Sequence, residues 1–151
     1  MEFVFKRRWY TPEAPLPPEY GEYFYFFEID LVFKDTLDWK DVTHRFQFDT
    51  GAPISYAPER ILNDLMGIEP AFEYDFWGIN RAERCKIRTK VAHLTFKILD
   101  EDGNESPELE GWFAFHHYNS PSLFGLEAIF GKLGFQLQLD DDTLILNFSQ
   151  S

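Results

Sequence analysis

An alternating run, His44-Arg45-Phe46-Gln47-Phe48, leads directly into the tetrapeptide Asp49-Thr50-Gly51-Ala52. The even positions of this run share one face of an extended chain, which is the pattern of a β-strand. Asp49 therefore stands where a strand ends in a turn of small residues, and Gly51 permits backbone conformations that are closed to other residues. The motif occurs once, because Asp35-Thr36 and Asp142-Thr143 each continue with leucine rather than glycine.

The composition of the 151 residues indicates one globular domain that is rich in strands. Aromatic residues make up 19% of the chain, with 17 phenylalanines, which excludes a disordered chain and favours β-structure. The net charge of −12 argues against a nucleic-acid partner, which requires basic patches. No apolar stretch approaches the roughly 18 residues of a membrane span, and the first residues do not form a signal peptide. We therefore expect a cytoplasmic protein with no membrane partner.

The order of elements follows from periodicity and turn residues. Strands are predicted at 23–33, 43–48, 91–99, 109–116, 135–139 and 143–148, and short helices at 58–67 and 126–132. A hairpin is predicted within 72–99, turning near Trp77-Gly78-Ile79-Asn80. The fold class is therefore mainly β with one or two short helices, and the strand spacing suits a closed barrel or a sandwich.

The first 21 residues are predicted to form an N-terminal extension, which leaves residues 22–151 as the domain. A short strand is expected at Phe3-Val4-Phe5, followed by the basic triplet Lys6-Arg7-Arg8. Four prolines and a glycine then fall within residues 11–21, a composition typical of an extended arm that acts as a spacer.

Two motifs together resemble the retropepsin-like aspartic peptidases, the single-domain, homodimeric relatives of pepsin. The first is Asp49-Thr50-Gly51-Ala52, and the second is Leu123-Phe124-Gly125, followed by a short helical stretch and the final strands. The resemblance covers about residues 24–148. It implies a mainly β barrel, a homodimer, a polypeptide substrate, endopeptidase activity and no cofactor.

The resemblance also implies a role for each residue of the first motif. Asp49 is expected to pair with Asp49 of a second copy, to share one proton with it and to activate a water molecule. Thr50 is expected to brace the two turns across the dimer. The carbonyl of Gly51 is expected to accept a hydrogen bond from the substrate backbone, and Ala52 completes the supporting turn.

The other implied site residues lie in two later segments. Leu123, Phe124 and Gly125 are expected to pack beside the catalytic turn. The flap that covers the cleft in this family is expected within residues 72–88, with Trp77, Gly78 and Ile79 at its tip. An ordinary hairpin with a buried tryptophan is the alternative interpretation of this segment.

Two departures from the viral pattern keep other functions open. Pro53 stands where the viral enzymes carry an acid, and Leu126-Glu127 stand where they carry Arg or polar residues. In the viral enzymes the acid and the Arg form an ion pair, and both members of this pair are absent here. This joint loss fits a cellular branch of the fold. It also motivates the alternative of an inactive dimer that binds peptides or acts as a scaffold. A third possibility is an unrelated, monomeric acidic β-barrel with an apolar ligand.

No metal is expected in this chain. His93, His116, His117 and Cys85 do not follow a zinc-ligand spacing. The acidic run 100–105 resembles a calcium loop only faintly, since it lacks the remaining ligands and the flanking helices. A solvated hairpin turn is the preferred interpretation of that run.

Overall fold

The structure, a computed structural model, describes residues 2–34, 43–65, 67–77, 86–125, 127, 135–139 and 143–148, without the side chains of 20, 135–139 and 148. These residues form ten strands and one α-helix. The elements are β1 Glu2–Tyr10, β2 Phe24–Phe33, β3 His44–Phe48, β4 Ser55–Pro58, α1 Glu59–Asp64, β5 Phe72–Trp77, β6 Lys86–Leu99, β7 Leu109–His116, β8 Leu123–Phe124, β9 Phe135–Leu139 and β10 Thr143–Phe148.

Six of the strands close into a ring, in the order β2-β3-β8-β4-β7-β6 and back to β2. The pairs β3–β8 and β4–β7 are parallel, and the other pairs in the ring are antiparallel. The hairpin strand β5 pairs with β6 outside this ring. The predicted mainly β fold with a closed barrel is thereby confirmed.

Phenylalanine rings fill the centre of the barrel. Phe113 lies at the middle of the cluster, with its ring edge-on to Phe33 at 5.3 Å, to Phe96 at 5.5 Å and to Phe46 at 5.9 Å between centroids. All four side chains are at most 1% exposed. Such tilted aromatic contacts are favourable beyond the area they bury, and they bring strands from around the barrel onto one core.

The strands β1, β10 and β9 extend the barrel on one side. The first half of β1 pairs with β10 and its second half pairs with β2, while β9 pairs with β10. Phe3 and Phe5 are buried and lie opposite Leu146 and Leu144.

Residues 2–10, the first part of the predicted N-terminal extension, therefore pair with β10 and β2 of the sheet. The alternation of buried Phe3 and Phe5 continues the core beyond the barrel. The proline-rich segment after β1 contains a short 3₁₀ turn at Pro18–Tyr20, and Gly21 ends it with a φ of 89°.

The helix predicted at 58–67 is confirmed as α1, Glu59–Asp64, with Pro58 directly before it. Apart from residue 127, the helix predicted at 126–132 lies outside the described residues. Among the described residues, no helix has the length and apolar character needed to cross a membrane.

The acidic run 100–105 forms a turn after β6, and this turn is hydrogen-bonded to β1. The Asp100 carboxylate accepts hydrogen bonds from the backbone N–H groups of Asp102 (2.9 Å), Asn104 (2.8 Å) and Val4 (3.3 Å). Burial opposes the charge of Asp100, but these donors and the Asn104 amide hold its pKa below its ordinary value. Within the described residues, no group of three or more histidine, cysteine or carboxylate side chains could hold a metal ion.

The central ring of the core provides a test of the fold. We expect Phe113→Ala to lower the free energy of unfolding by about 3 to 5 kcal/mol, because it leaves a cavity among rings from several strands. Phe72→Ala is the matched control, since Phe72 is 48% exposed at the sheet edge, and we expect it to cost less than about 1 kcal/mol. Urea denaturation followed by circular dichroism measures both, and equal losses would contradict this account of the core.

Candidate active site

Asp49 begins the tight turn that connects β3 to β4. Its Oδ1 atom accepts a hydrogen bond from the backbone N–H of Gly51 at 2.8 Å, and its carbonyl accepts one from the N–H of Ala52 at 3.2 Å. Asp49 is partly exposed, Thr50 and Gly51 are exposed, and Ala52 is buried. The turn therefore anchors itself through Ala52 and presents the Asp-Thr-Gly part at the surface, with the carboxylate oriented by the backbone.

The late motif lies directly behind this turn. Strand β8 is inserted between β3, with which it runs parallel, and β4, with which it runs antiparallel. The N–H of Gln47 donates to the carbonyl of Ser122 at 2.7 Å, and the N–H of Asp49 donates to the carbonyl of Phe124 at 3.1 Å. The end of β3 is thus hydrogen-bonded to residues 122–124, and Phe124 is fully buried.

Gly125 allows the two segments to approach closely. A Cβ atom at this position would lie 2.4 Å from the carbonyl oxygen of Ile54 and 2.7 Å from that of Ala52, distances that no side chain tolerates. The N–H of Gly125 donates to the Oγ atom of Ser55 at 3.0 Å. Ser55 belongs to neither sequence motif, and only the tertiary contact reveals it as a buried acceptor at the start of β4.

Glu127 adds a further connection where the viral ion pair is absent. Its N–H donates to the carbonyl of Pro53 at 3.1 Å, and its Oε2 atom accepts a hydrogen bond from the N–H of Trp112 at 3.0 Å. The residue after the turn therefore contacts the late segment through the backbone. The sequence contains no signal for these bonds, since they join residues that are far apart in the chain.

The hairpin of β5 and β6 stands beside this site. The two strands pair from Phe72 opposite Val91 to Trp77 opposite Lys86. Trp77 is the last residue of β5 and is 41% exposed. Gly78 and Ile79, the other predicted flap residues, lie outside the described residues.

Ion pairs stiffen the outer surface of this hairpin. The Asp75 carboxylate lies 3.2 Å from Lys86 Nζ and 3.1 Å from Arg88 Nε, and Glu73 lies 3.9 Å from Arg88 Nη1. The hydrogen bond from Arg88 lowers the pKa of Asp75, so that this carboxylate stays charged in mild acid. The two strands are therefore linked by side chains as well as by the backbone.

A pocket of about 250 Å³ opens between the hairpin, β4 and the segment before β8. Its walls are mostly apolar and are formed by Tyr56, Phe76, Trp77, Ile87, His116, Ser120, Pro121 and Leu123. Leu123 pairs with Gln47, two residues before Asp49, so one wall of the pocket is the strand that supports the Asp49 turn. Tyr56 of β4 and Phe76 of the hairpin meet edge-on, with 5.3 Å between their ring centroids.

Three contacts hold the segment 117–120 that borders this pocket. His117 Nδ1 lies 2.7 Å from Glu59 Oε2, and Arg60 donates to Asn119 at 3.0 Å. The buried His116 ring places Nε2 3.2 Å from Ser120 Oγ. The start of α1 thereby fixes one wall of the pocket.

The fold is similar to that of a solved structure. That structure is the crystal structure of a retropepsin-like aspartic protease from Rickettsia conorii, with a TM-score of 0.51 and 17% sequence identity. The similarity covers 98% of the present chain and 91% of the other. No protein-family model and no curated protein matches the sequence. The comparison therefore shows a retropepsin-like fold, and the chemistry has to be argued from the residues.

The close approach at Gly125 gives the first test of the site. We expect Gly125→Ala to lower the free energy of unfolding by about 3 kcal/mol or more, because its Cβ atom would collide with backbone that cannot move freely. Gly103→Ala is the control, since a Cβ atom there meets nothing within 4 Å and only the φ of +81° opposes it, at about 1 to 2 kcal/mol. Thermal and urea denaturation compare the two variants, and a Gly125→Ala protein as stable as the Gly103→Ala protein would refute the steric account.

His116 gives a second test through pH. Burial, assisted by the neighbouring His117, lowers the pKa of His116 below its ordinary value. The unfolded chain therefore takes up this proton first, and stability falls as the pH drops through about 6.5 toward the lower folded pKa. We expect His116→Gln, which cannot be protonated there, to reduce this loss between pH 7 and pH 5. Urea denaturation at several pH values measures it, with the exposed His93→Gln as control, and an unchanged slope in His116→Gln would contradict the prediction.

Proposed function

We propose that this protein is an aspartic endopeptidase that acts as a homodimer, with the catalytic pair formed by Asp49 of each copy. The observation that carries the proposal is the geometry of the Asp49 turn. A partly exposed carboxylate is oriented by the N–H of Gly51 and supported from behind by β8 and Gly125. This arrangement positions a carboxylate rigidly at a surface, as general acid–base catalysis requires. The retropepsin-like fold supports the same proposal.

The need for a second copy follows from the number of motifs. The sequence contains one Asp-Thr-Gly motif, so a pair of such turns requires two chains. Two carboxylates that face each other closely cannot both ionise, and the pair therefore shares one proton. One member is then a base and the other an acid at the same pH, which is the combination that amide hydrolysis needs.

The proposed reaction uses a water molecule held between the two Asp49 carboxylates. The ionised carboxylate removes a proton as the water oxygen bonds to the carbonyl carbon of the peptide, and the protonated carboxylate gives its proton to the carbonyl oxygen. The resulting tetrahedral diol then breaks its C–N bond. The amine leaves with a proton from one carboxyl group of the pair, while a hydroxyl group of the diol returns a proton to the other carboxylate, so that a carboxylic acid forms and the pair again shares one proton. No covalent bond to the enzyme forms.

The substrate in this proposal is an extended polypeptide that binds as a strand. The exposed Gly51 offers a backbone carbonyl next to the catalytic carboxylate, and the β5–β6 hairpin covers the bound segment. One apolar side chain of the substrate would occupy the pocket between Trp77, Tyr56 and Leu123, whose volume of about 250 Å³ fits a large aliphatic or aromatic group.

The catalytic role of Asp49 is directly testable. We expect Asp49→Asn to lower the rate of peptide cleavage by about 100- to 10,000-fold, because the amide can neither accept nor share the proton. The assay is cleavage of a diverse peptide library from mildly acidic to neutral pH, where we expect the mildly acidic end to be faster. Asp102→Asn, in an exposed turn, is the matched control and should retain activity.

The protein concentration in this assay should be one at which a mass measurement shows a dimer. Equal cleavage by wild type and Asp49→Asn would contradict the proposal. A dimer that binds peptides and cleaves none would instead support the alternative of a peptide-binding module, which Pro53 and the absent ion pair motivate.

A further inference from the structure

A long loop joins two strands that lie side by side. β1 and β2 pair antiparallel, and their pairing ends with Tyr10 opposite Phe24. About two to five residues are enough to close such a hairpin, yet residues 11–23 form this connection. A spacer has no distance to span between the ends of two paired strands. Loops of about this length in a compact domain usually have a function of their own, and the proline-rich composition indicates what this loop does.

The loop packs little of itself against the rest of the fold. Pro12 and Leu16 are partly buried, and the other loop side chains that the structure describes are exposed. A connection that served the core would bury its apolar residues, but Pro15, Pro17 and Pro18 are all exposed. Exposed loops on a rigid scaffold often carry binding residues. This loop presents proline rings where another molecule can reach them.

Two of the exposed prolines begin a short motif, Pro17-Pro18-Glu19-Tyr20. Pro17 has a φ of −53° and a ψ of 142°, which are close to polyproline II values, and a 3₁₀ turn follows at Pro18–Tyr20. Both conformations have three residues per turn, so positions 17 and 20 lie on the same side of the segment. A segment that is already in this conformation loses little conformational entropy when it enters a groove.

The chemistry of the motif specifies the groove that would recognise it. Adjacent proline rings pack between aromatic side chains, and a tyrosine that follows them requires an apolar pocket with a polar group near its hydroxyl. Residues 11–23 contain Glu13, Glu19 and Glu22 but no lysine or arginine. An acidic rim would repel this loop, so the rim of a matching groove is neutral or basic.

The strand ends beside the loop enlarge the exposed aromatic surface. Trp9 and Tyr25 lie opposite each other in the sheet and are 62% and 53% exposed. Tyr10 and Phe24 are exposed as well, with 5.3 Å between their ring centroids. Aromatic side chains are enriched at protein–protein interfaces, and an exposed group of them marks an interaction site. A partner that binds the loop would also contact this surface.

We propose that Pro17-Pro18-Glu19-Tyr20 is a docking motif for a partner protein that contains a proline-reading domain of the WW type, of the class that recognises Pro-Pro-x-Tyr. The two prolines enter the aromatic groove of that domain, and the ring of Tyr20 enters the neighbouring pocket. The motif lies on the β1–β2 connection, whereas Asp49 lies on the β3–β4 turn. The inference therefore does not rest on the proposed catalytic function.

Binding of a purified WW domain of this class to the full-length protein tests the motif. We expect a dissociation constant of about 1 to 100 μM, weakened by about tenfold or more in Tyr20→Ala and in the double variant Pro17→Ala with Pro18→Ala. Tyr23→Ala and Pro15→Ala are the matched controls, because they remove an exposed tyrosine and an exposed proline of the same loop outside the motif. We expect both controls to bind within about twofold of wild type.

Isothermal titration calorimetry measures the affinities, and circular dichroism confirms that each variant is folded. Tyr20→Phe keeps the aromatic ring and should bind more tightly than Tyr20→Ala. The inference is overturned if the full-length protein does not bind the domain, or if Tyr20→Ala and the double proline variant bind like wild type. It is also overturned if Tyr23→Ala or Pro15→Ala weakens binding as much as Tyr20→Ala, since the contact would then be with the loop in general. The peptide-cleavage assay is independent of these results.

Discussion

Backbone contact between the late glycine segment and the Asp49 turn is the constraint on which the candidate site depends. Gly125 lies so close to the carbonyl oxygens of Ile54 and Ala52 that no side chain fits between them. Because of this proximity, β8 can bond to β3 on one side and to β4 on the other. The turn that carries Asp49 is thus supported by three strands that meet at one point of the barrel, while its own Gly51 N–H orients the carboxylate.

In the same region, hydrogen bonds that involve backbone groups stand where the viral enzymes have an ion pair between two side chains. In this chain Pro53 has no charge to offer, yet its carbonyl accepts from Glu127, and the Glu127 carboxylate reaches Trp112 of β7. These bonds do not depend on ionisation of a partner residue after the turn. The absence of the viral ion pair is therefore compatible with an ordered site.

Acid has opposing effects on the proposed enzyme. Proton sharing between two carboxylates favours mildly acidic conditions, while burial lowers the pKa of both His44 and His116 and makes their protonation costly to the fold. His44 lies on the strand that leads to Asp49, and His116 borders the apolar pocket. We therefore expect the activity of the proposed enzyme in acid to be limited by stability as well as by the proposed Asp49 pair.

The sequence by itself determined the strand periodicity, the position of α1 and the turn at Asp49, because each depends on neighbouring residues: alternation, proline before a helix and glycine in a turn. It also indicated that Leu123-Phe124-Gly125 belongs with Asp49, through resemblance rather than through physics. Only the tertiary structure decided the roles of Ser55, Glu127 and His116, and the inclusion of residues 2–10 in the sheet. These depend on bonds and burial between segments far apart in the chain, which local patterns do not encode.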